Sequence, residues 1–229
     1  MKRSIKILLL LLTLILFLLC YNLINYNPKK IKNIEYTIED YSGKDYIYIN
    51  NNEPNFSVIY KIMVPFEIYG KLDHLGRSTY AFANIGIELF PKSKRESISK
   101  VRTTAYMVSK YDFIPQKYLY NRCHLIAFSL TGENANKNNL ITCTSKMNQG
   151  KMKEIEKEVK EYIEKTNNHV LYRVKVMYDY DNLLAKGINL EALSLEDNGE
   201  GIKYNLFIYN VQDGVKINYK DGTNYALGI

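Results

Sequence analysis

The chain of 229 residues has no tryptophan, three cysteines, three histidines and five prolines. No Cys-x-x-Cys pair occurs, and His74, His124 and His169 are far apart, so the chain fits a structural zinc site poorly. No internal repeat is present, which removes solenoid and propeller architectures. An excess of one charge is also missing over most of the length. The net charge is +7, but Lys2, Arg3, Lys6, Lys29 and Lys30 supply five positive charges within residues 1–30, which hold no acid. Residues 31–229 are left with 26 basic and 24 acidic side chains, a balance of +2. A nucleic-acid surface must therefore come from local clustering rather than global charge.

What is abundant is apolar and aromatic. Hydrophobic residues make up 46% of the chain and 21 residues are tyrosine, which favours a packed, strand-rich body. The longest apolar run covers residues 7–24, behind Lys2, Arg3 and Lys6. It is long enough for a short membrane span with the N-terminus inside and the body outside. No Ala-x-Ala-like site follows, which favours a retained signal-anchor over a cleaved signal peptide. Phe17-Leu18-Leu19 precede Cys20 without the small residue that a lipoprotein site needs. The expected organisation is a signal-anchor or signal peptide at 1–24, a polar linker at 25–45 and one domain at 46–229. The body then sits outside the cytoplasm at the cell membrane, or is secreted if the segment is cleaved.

Chemistry concentrates in Tyr120-Asn121-Arg122-Cys123-His124-Leu125-Ile126, then Asn139, then Met147-Asn148-Gln149-Gly150. One histidine, one arginine and two asparagines at this spacing suit metal-assisted cleavage of a phosphodiester. His124 offers a neutral imidazole base near pH 7. Asn148 offers a carbonyl oxygen to Mg²⁺, an ion that keeps most of its waters. Arg122 offers a planar fork for phosphate oxygens. The remaining cysteines, Cys123 and Cys143, flank this segment. A disulfide and two unpaired thiols are both compatible with an exported chain.

The pattern predicts strands at 46–49, 118–130, 140–144, 170–178, 192–195 and 204–211, and a strand or short buried helix within 81–87. Met152, Ile155, Val159, Tyr162 and Ile163 recur at helical spacing and predict an amphipathic helix over 151–165. Asn148 precedes it, where an asparagine also serves as a helix cap. Lys92, Lys94, Arg95, Lys100 and Arg102 form a basic cluster, either solvated surface or a track for a phosphate backbone.

At Asn121-Arg122-Cys123-His124 the sequence resembles the DNA/RNA non-specific endonucleases of the ββα-metal class, most of all the streptococcal secreted DNases and membrane-attached competence nucleases. The family motif usually reads Asp-Arg-Gly-His, and one branch reads Asn-Arg-Cys-His. Asn139, Asn148 nine residues on and Glu156 eight further keep the family intervals. The likeness runs from about Tyr60 to Tyr219 and takes in Leu72–Arg77, Thr131–Asn134, Leu171–Val174 and Glu196–Gly199. Cys143 departs from it, standing where members often carry a small residue or proline.

The resemblance implies an α+β fold, a ββα core embedded in a mostly antiparallel sheet with flanking helices. It implies one hydrated Mg²⁺, with Mn²⁺ as the alternative, held directly by Asn148 and through water by Glu156. His124 would be the general base, Arg122 the phosphate contact, and Asn139 a support for base or phosphate. Asn121 and Arg173 are further substrate contacts on this reading. DNA and RNA would be the substrates, cut to 5′-phosphate products. Eight helical residues rise about 12 Å, so Asn148 and Glu156 can serve one ion only if Asn148 lies outside the regular helix. Two other classes fit the composition: a catalytically inactive nucleic-acid-binding surface protein, and a toxin-type nuclease with an immunity partner.

Overall fold

The computed structural model describes residues 38–57, 60–61 and 64–228. The expected membrane segment at 1–24 and residues 25–37 of the expected linker lie outside them. Among the described residues no helix is long and apolar enough to cross a membrane.

Alternating, β-branched and aromatic segments pair into a six-stranded sheet. Its strands are β1 (Tyr46–Tyr48), β2 (Phe66–Tyr69), β3 (Tyr80–Ile85), β6 (Val170–Met177), β7 (Gly187–Ser194) and β8 (Lys203–Tyr209). They lie in the order β1-β8-β7-β6-β3-β2, and every pairing is antiparallel. Two ribbons stand apart: β4 (Tyr120–His124) with β5 (Leu140–Thr144), and β9 (Val215–Ile217) with β10 (Asn224–Ala226). Among the described residues three α-helices accompany the strands: α1 (Phe128–Thr131), α2 (Ser145–Gln149) and α3 (Lys151–Thr166).

The strand period of two sorts side chains between the sheet's faces. Ala81, Ala83, Ile85, Val170, Tyr172, Val174, Leu190 and Ala192 join the main core with Met152, Ile155, Val159 and Ile163 of α3. Spacings of three and four bring those α3 residues onto one stripe, which therefore seats on that face. The helix ends at Asn167, left-handed at φ 59°, whose N–H bonds the Ile163 carbonyl. Phe82, Leu171 and Leu193 point the other way and meet Phe56 and Leu195 in a second cluster.

Three sequence expectations change. The strand expected over 118–130 stops at His124; Leu125 and Ile126 are fully buried in a loop, and 128–131 turns into α1, closed by left-handed Gly132 at φ 68°. An apolar run is buried here by wrapping, not by pairing. The strand expected at 192–195 is longer, at 187–194, because it is central and wholly buried, so its polar Asn189 and Glu191 hide the pattern. Part of the expected linker is already packed: the Tyr209 hydroxyl donates to the Glu39 carbonyl at 2.9 Å.

Candidate active site

The β4–β5 ribbon and the two helices that follow it build one cleft. Ribbon pairing sets Arg122 opposite Thr142 and His124 opposite Leu140, and the period of two puts Arg122 and His124 on one face. Cys123 and Cys143 sit on adjacent strands with Cα atoms 5.9 Å apart and are joined by a disulfide. That resolves the alternative the sequence left open.

Helix α2 starts directly after β5. Thr144 caps it, its hydroxyl oxygen accepting from the Met147 N–H at 3.2 Å. Gly150 then breaks the chain between α2 and α3 with φ −93° and ψ −127°. Asn148 thus lies in a helix of its own, outside α3, and the rise along α3 no longer separates it from Glu156. Asn148 is not the cap of α3, whose N-cap is Gly150 with no side-chain bond.

Arg95, Arg122, His124, Asn148, Lys153 and Glu156 line the same cleft, of about 410 Å³. His124 is 7% exposed, and its Nε2 lies 2.7 Å from the Asn134 carbonyl oxygen. A carbonyl only accepts, so Nε2 carries the proton and Nδ1 keeps a free lone pair. Burial holds the His124 pKa below its usual 6.5, the Asn134 bond opposes this, and Arg95 lowers it further. Arg122 gives its Nε–H to the Val101 carbonyl at 2.6 Å and stacks over the Tyr106 ring at 3.8 Å. Its two terminal nitrogens have no protein acceptor among the described residues.

Burial pushes the Glu156 carboxyl up to about 8, with Arg95 and Lys153 pulling the other way. Such an acid in a polar cleft is under-compensated, and a cation would stabilise its charged form. Among the described residues no group of three or more His, Cys, Asp or Glu gathers. The oxygen donors lining the cleft are instead the Glu156 carboxylate, the Asn148 and Gln149 amides and the Ser129 hydroxyl. Few, hard oxygen donors fit a hydrated Mg²⁺-like ion and do not fit a zinc cage.

Three sequence-predicted residues stand elsewhere. Arg173 is on the opposite face of the sheet from α3. It donates to Glu191 at 2.7 Å and to the Asn55 carbonyl at 2.7 Å, and stacks over Phe56 at 4.8 Å. Register on β6 decides this: Tyr172 faces α3, so Arg173 cannot. Asn139 is fully buried and clasps the backbone of Ile126, accepting from its N–H and donating to its carbonyl, both at 3.0 Å. Its amide braces the loop that directly follows His124. Asn121 lines a neighbouring cleft, and its Nδ2 is buried without a partner. Conversely, Arg95 and Lys153 line the cleft, although nothing but membership of a basic run marked Arg95 and nothing marked Lys153.

The model of the DNA/RNA non-specific endonuclease family matches residues 56–195, more than half of the chain. NucA from Streptococcus agalactiae with magnesium bound is similar in structure, with a TM-score of 0.68 at 22% identity, over 78% of this chain and 85% of that one. Its metal-free form gives 0.67 at 22% identity, over 80% and 90%. The Sda1 nuclease with bound zinc gives 0.59 at 26% identity, over 71% and 81%. No curated protein sequence matches the chain.

Proposed function

The chain belongs to the DNA/RNA non-specific endonuclease family, and from that premise we propose that it hydrolyses DNA and RNA phosphodiesters with His124 as general base. The observation that carries this reading is the cleft shared by His124, Arg122, Asn148 and Glu156, with His124 fixed in one tautomer by Asn134. The His124 Nδ1 lone pair takes a proton from water, whose oxygen bonds to phosphorus. The bond from phosphorus to the 3′ oxygen breaks, and that oxygen takes a proton from solvent water, leaving a 5′-phosphate and a 3′-hydroxyl. Arg122 holds the phosphate through its terminal nitrogens, and Arg95 adds a second positive charge over the same cleft.

Asn148 directly, and Glu156 through water, would hold the hydrated divalent cation, with Mg²⁺ as its identity and Mn²⁺ as a substitute. Such an ion neutralises charge building on the phosphate and the leaving oxygen. Contacts to phosphate and metal carry no base information, which suits cutting without sequence preference. The disulfide beside the site suits an oxidising compartment. With the apolar segment at 7–24 it supports a body held outside the cytoplasm, at the membrane or released from it.

The test is digestion of plasmid DNA and of RNA by the full chain with Mg²⁺ and with EDTA, followed by labelling of product ends. Cutting of both polymers only with metal, leaving 5′-phosphates, is expected. Cutting in EDTA, or 5′-hydroxyl ends, would contradict the mechanism. No cutting at all would favour the binding-protein alternative.

A further inference from the structure

A second cleft, of about 340 Å³, meets the first at Arg122. Its walls include Ser97, Ser99, Tyr106, Tyr118 and Asn121. A cation lies over each tyrosine ring. Tyr106 is covered by the Arg122 guanidinium at 3.8 Å. Tyr118 is 44% exposed, held by a bridge to Lys110, and the Lys110 Nζ lies 4.9 Å from its ring centre. Single exposed aromatics are ordinary on protein surfaces. Tyr118 differs because its ring walls a cleft that continues directly from a phosphate-binding arginine, with a lysine beside it. An exposed aromatic ring next to cations is how proteins grip unpaired bases, since every base has a face to stack.

Building on the nuclease reading, we propose that this cleft is a nucleobase subsite: the base next to the phosphate held by Arg122 stacks on Tyr118. Lys110 meets the following phosphate. Stacking on a ring serves all four bases of either nucleic acid, so the subsite adds affinity without sequence preference. A base seated there has left its own helical stack. Single strands and frayed ends therefore enter more readily than an intact duplex.

The test is fluorescence anisotropy of the full chain in EDTA with labelled single strands of one length: DNA, RNA, and an abasic DNA strand that keeps every phosphate. The wild type is expected to bind the base-bearing strands about five- to tenfold more tightly than the abasic strand. Tyr118→Ala is expected to bring that ratio to about two or below, and Tyr118→Phe to keep it. Affinity for the abasic strand reports the phosphate contacts and shows whether the variant is folded. Equal wild-type affinity for all three strands, or an unchanged ratio in Tyr118→Ala, would overturn the subsite. Binding in EDTA is read without catalysis, so a failure of cleavage in Mg²⁺ counts against the nuclease reading alone.

Discussion

Burial sets the working range of His124. As the base proposed above, it acts in the neutral form, and desolvation holds its pKa below 6.5. Activity limited by this group is therefore more than half present at pH 6.5, approaches its full value at higher pH, and is lost as pH falls through the lowered value. A kcat/KM profile should show its acid limb below 6.5; a limb above 7 would mean that another group limits the reaction. Arg173 is a contrasting case. The sequence placed it among substrate contacts, yet it pairs with Glu191 inside the second cluster. Removing one partner of a buried pair costs about 3–5 kcal/mol. Arg173→Met should lose about that much in urea denaturation while cutting per folded molecule is unchanged. A loss of cutting at full stability would restore Arg173 to the site. Residue types and the family intervals singled out His124, Arg122, Asn148 and Glu156, and these four line one cleft. Types and intervals could not reveal which face of β6 carries Arg173, nor that the Asn139 amide is spent on the backbone of Ile126. Both depend on long-range register.

At the scale of elements, the junction between α2 and α3 decides whether Asn148 and Glu156 share a cleft. A Cβ at Gly150 would fall 2.6 Å from the Lys146 carbonyl oxygen, a backbone atom that cannot swing aside. Gly150→Ala should displace α2 against α3, cost about 1–3 kcal/mol of stability and raise the Mg²⁺ concentration needed for half-maximal cutting. Wild-type behaviour in both would show that the junction tolerates another geometry. The helix α3 was legible almost to its ends because its apolar stripe is regular. The break before it was implied by the rise from Asn148 to Glu156. Its cause, a glycine with unusual ψ, has no periodic signature. The disulfide closes β4 onto β5 across a sequence separation of 20 residues. Loop closure of that length is worth about 3 kcal/mol. Reduction should lower the unfolding midpoint, and a midpoint unmoved by reductant would mean that the bond adds nothing to the fold.

For the whole molecule, the two faces of the central sheet divide the labour. One carries α3 and, through it, Glu156; the other buries Arg173, Glu191 and their aromatic neighbours as structure. Net charge hides this division, since most of the positive excess lies in residues 1–30. The positive field at the site comes from few groups, Arg95, Arg122 and Lys153, around one cleft. The α+β class with a mostly antiparallel sheet was readable from alternating segments around one amphipathic helix. The order β1-β8-β7-β6-β3-β2 was not, because it depends on pairings between strands far apart in sequence. We propose that this cleft cuts phosphodiesters with His124 as its base. The most direct measurement is the kcat of the full chain on a single-stranded DNA oligonucleotide in saturating Mg²⁺, wild type beside His124→Ala, with folding checked by circular dichroism. A fall of about 10²–10⁴-fold in a folded variant is the expected result. Cutting within tenfold of the wild type would contradict the account.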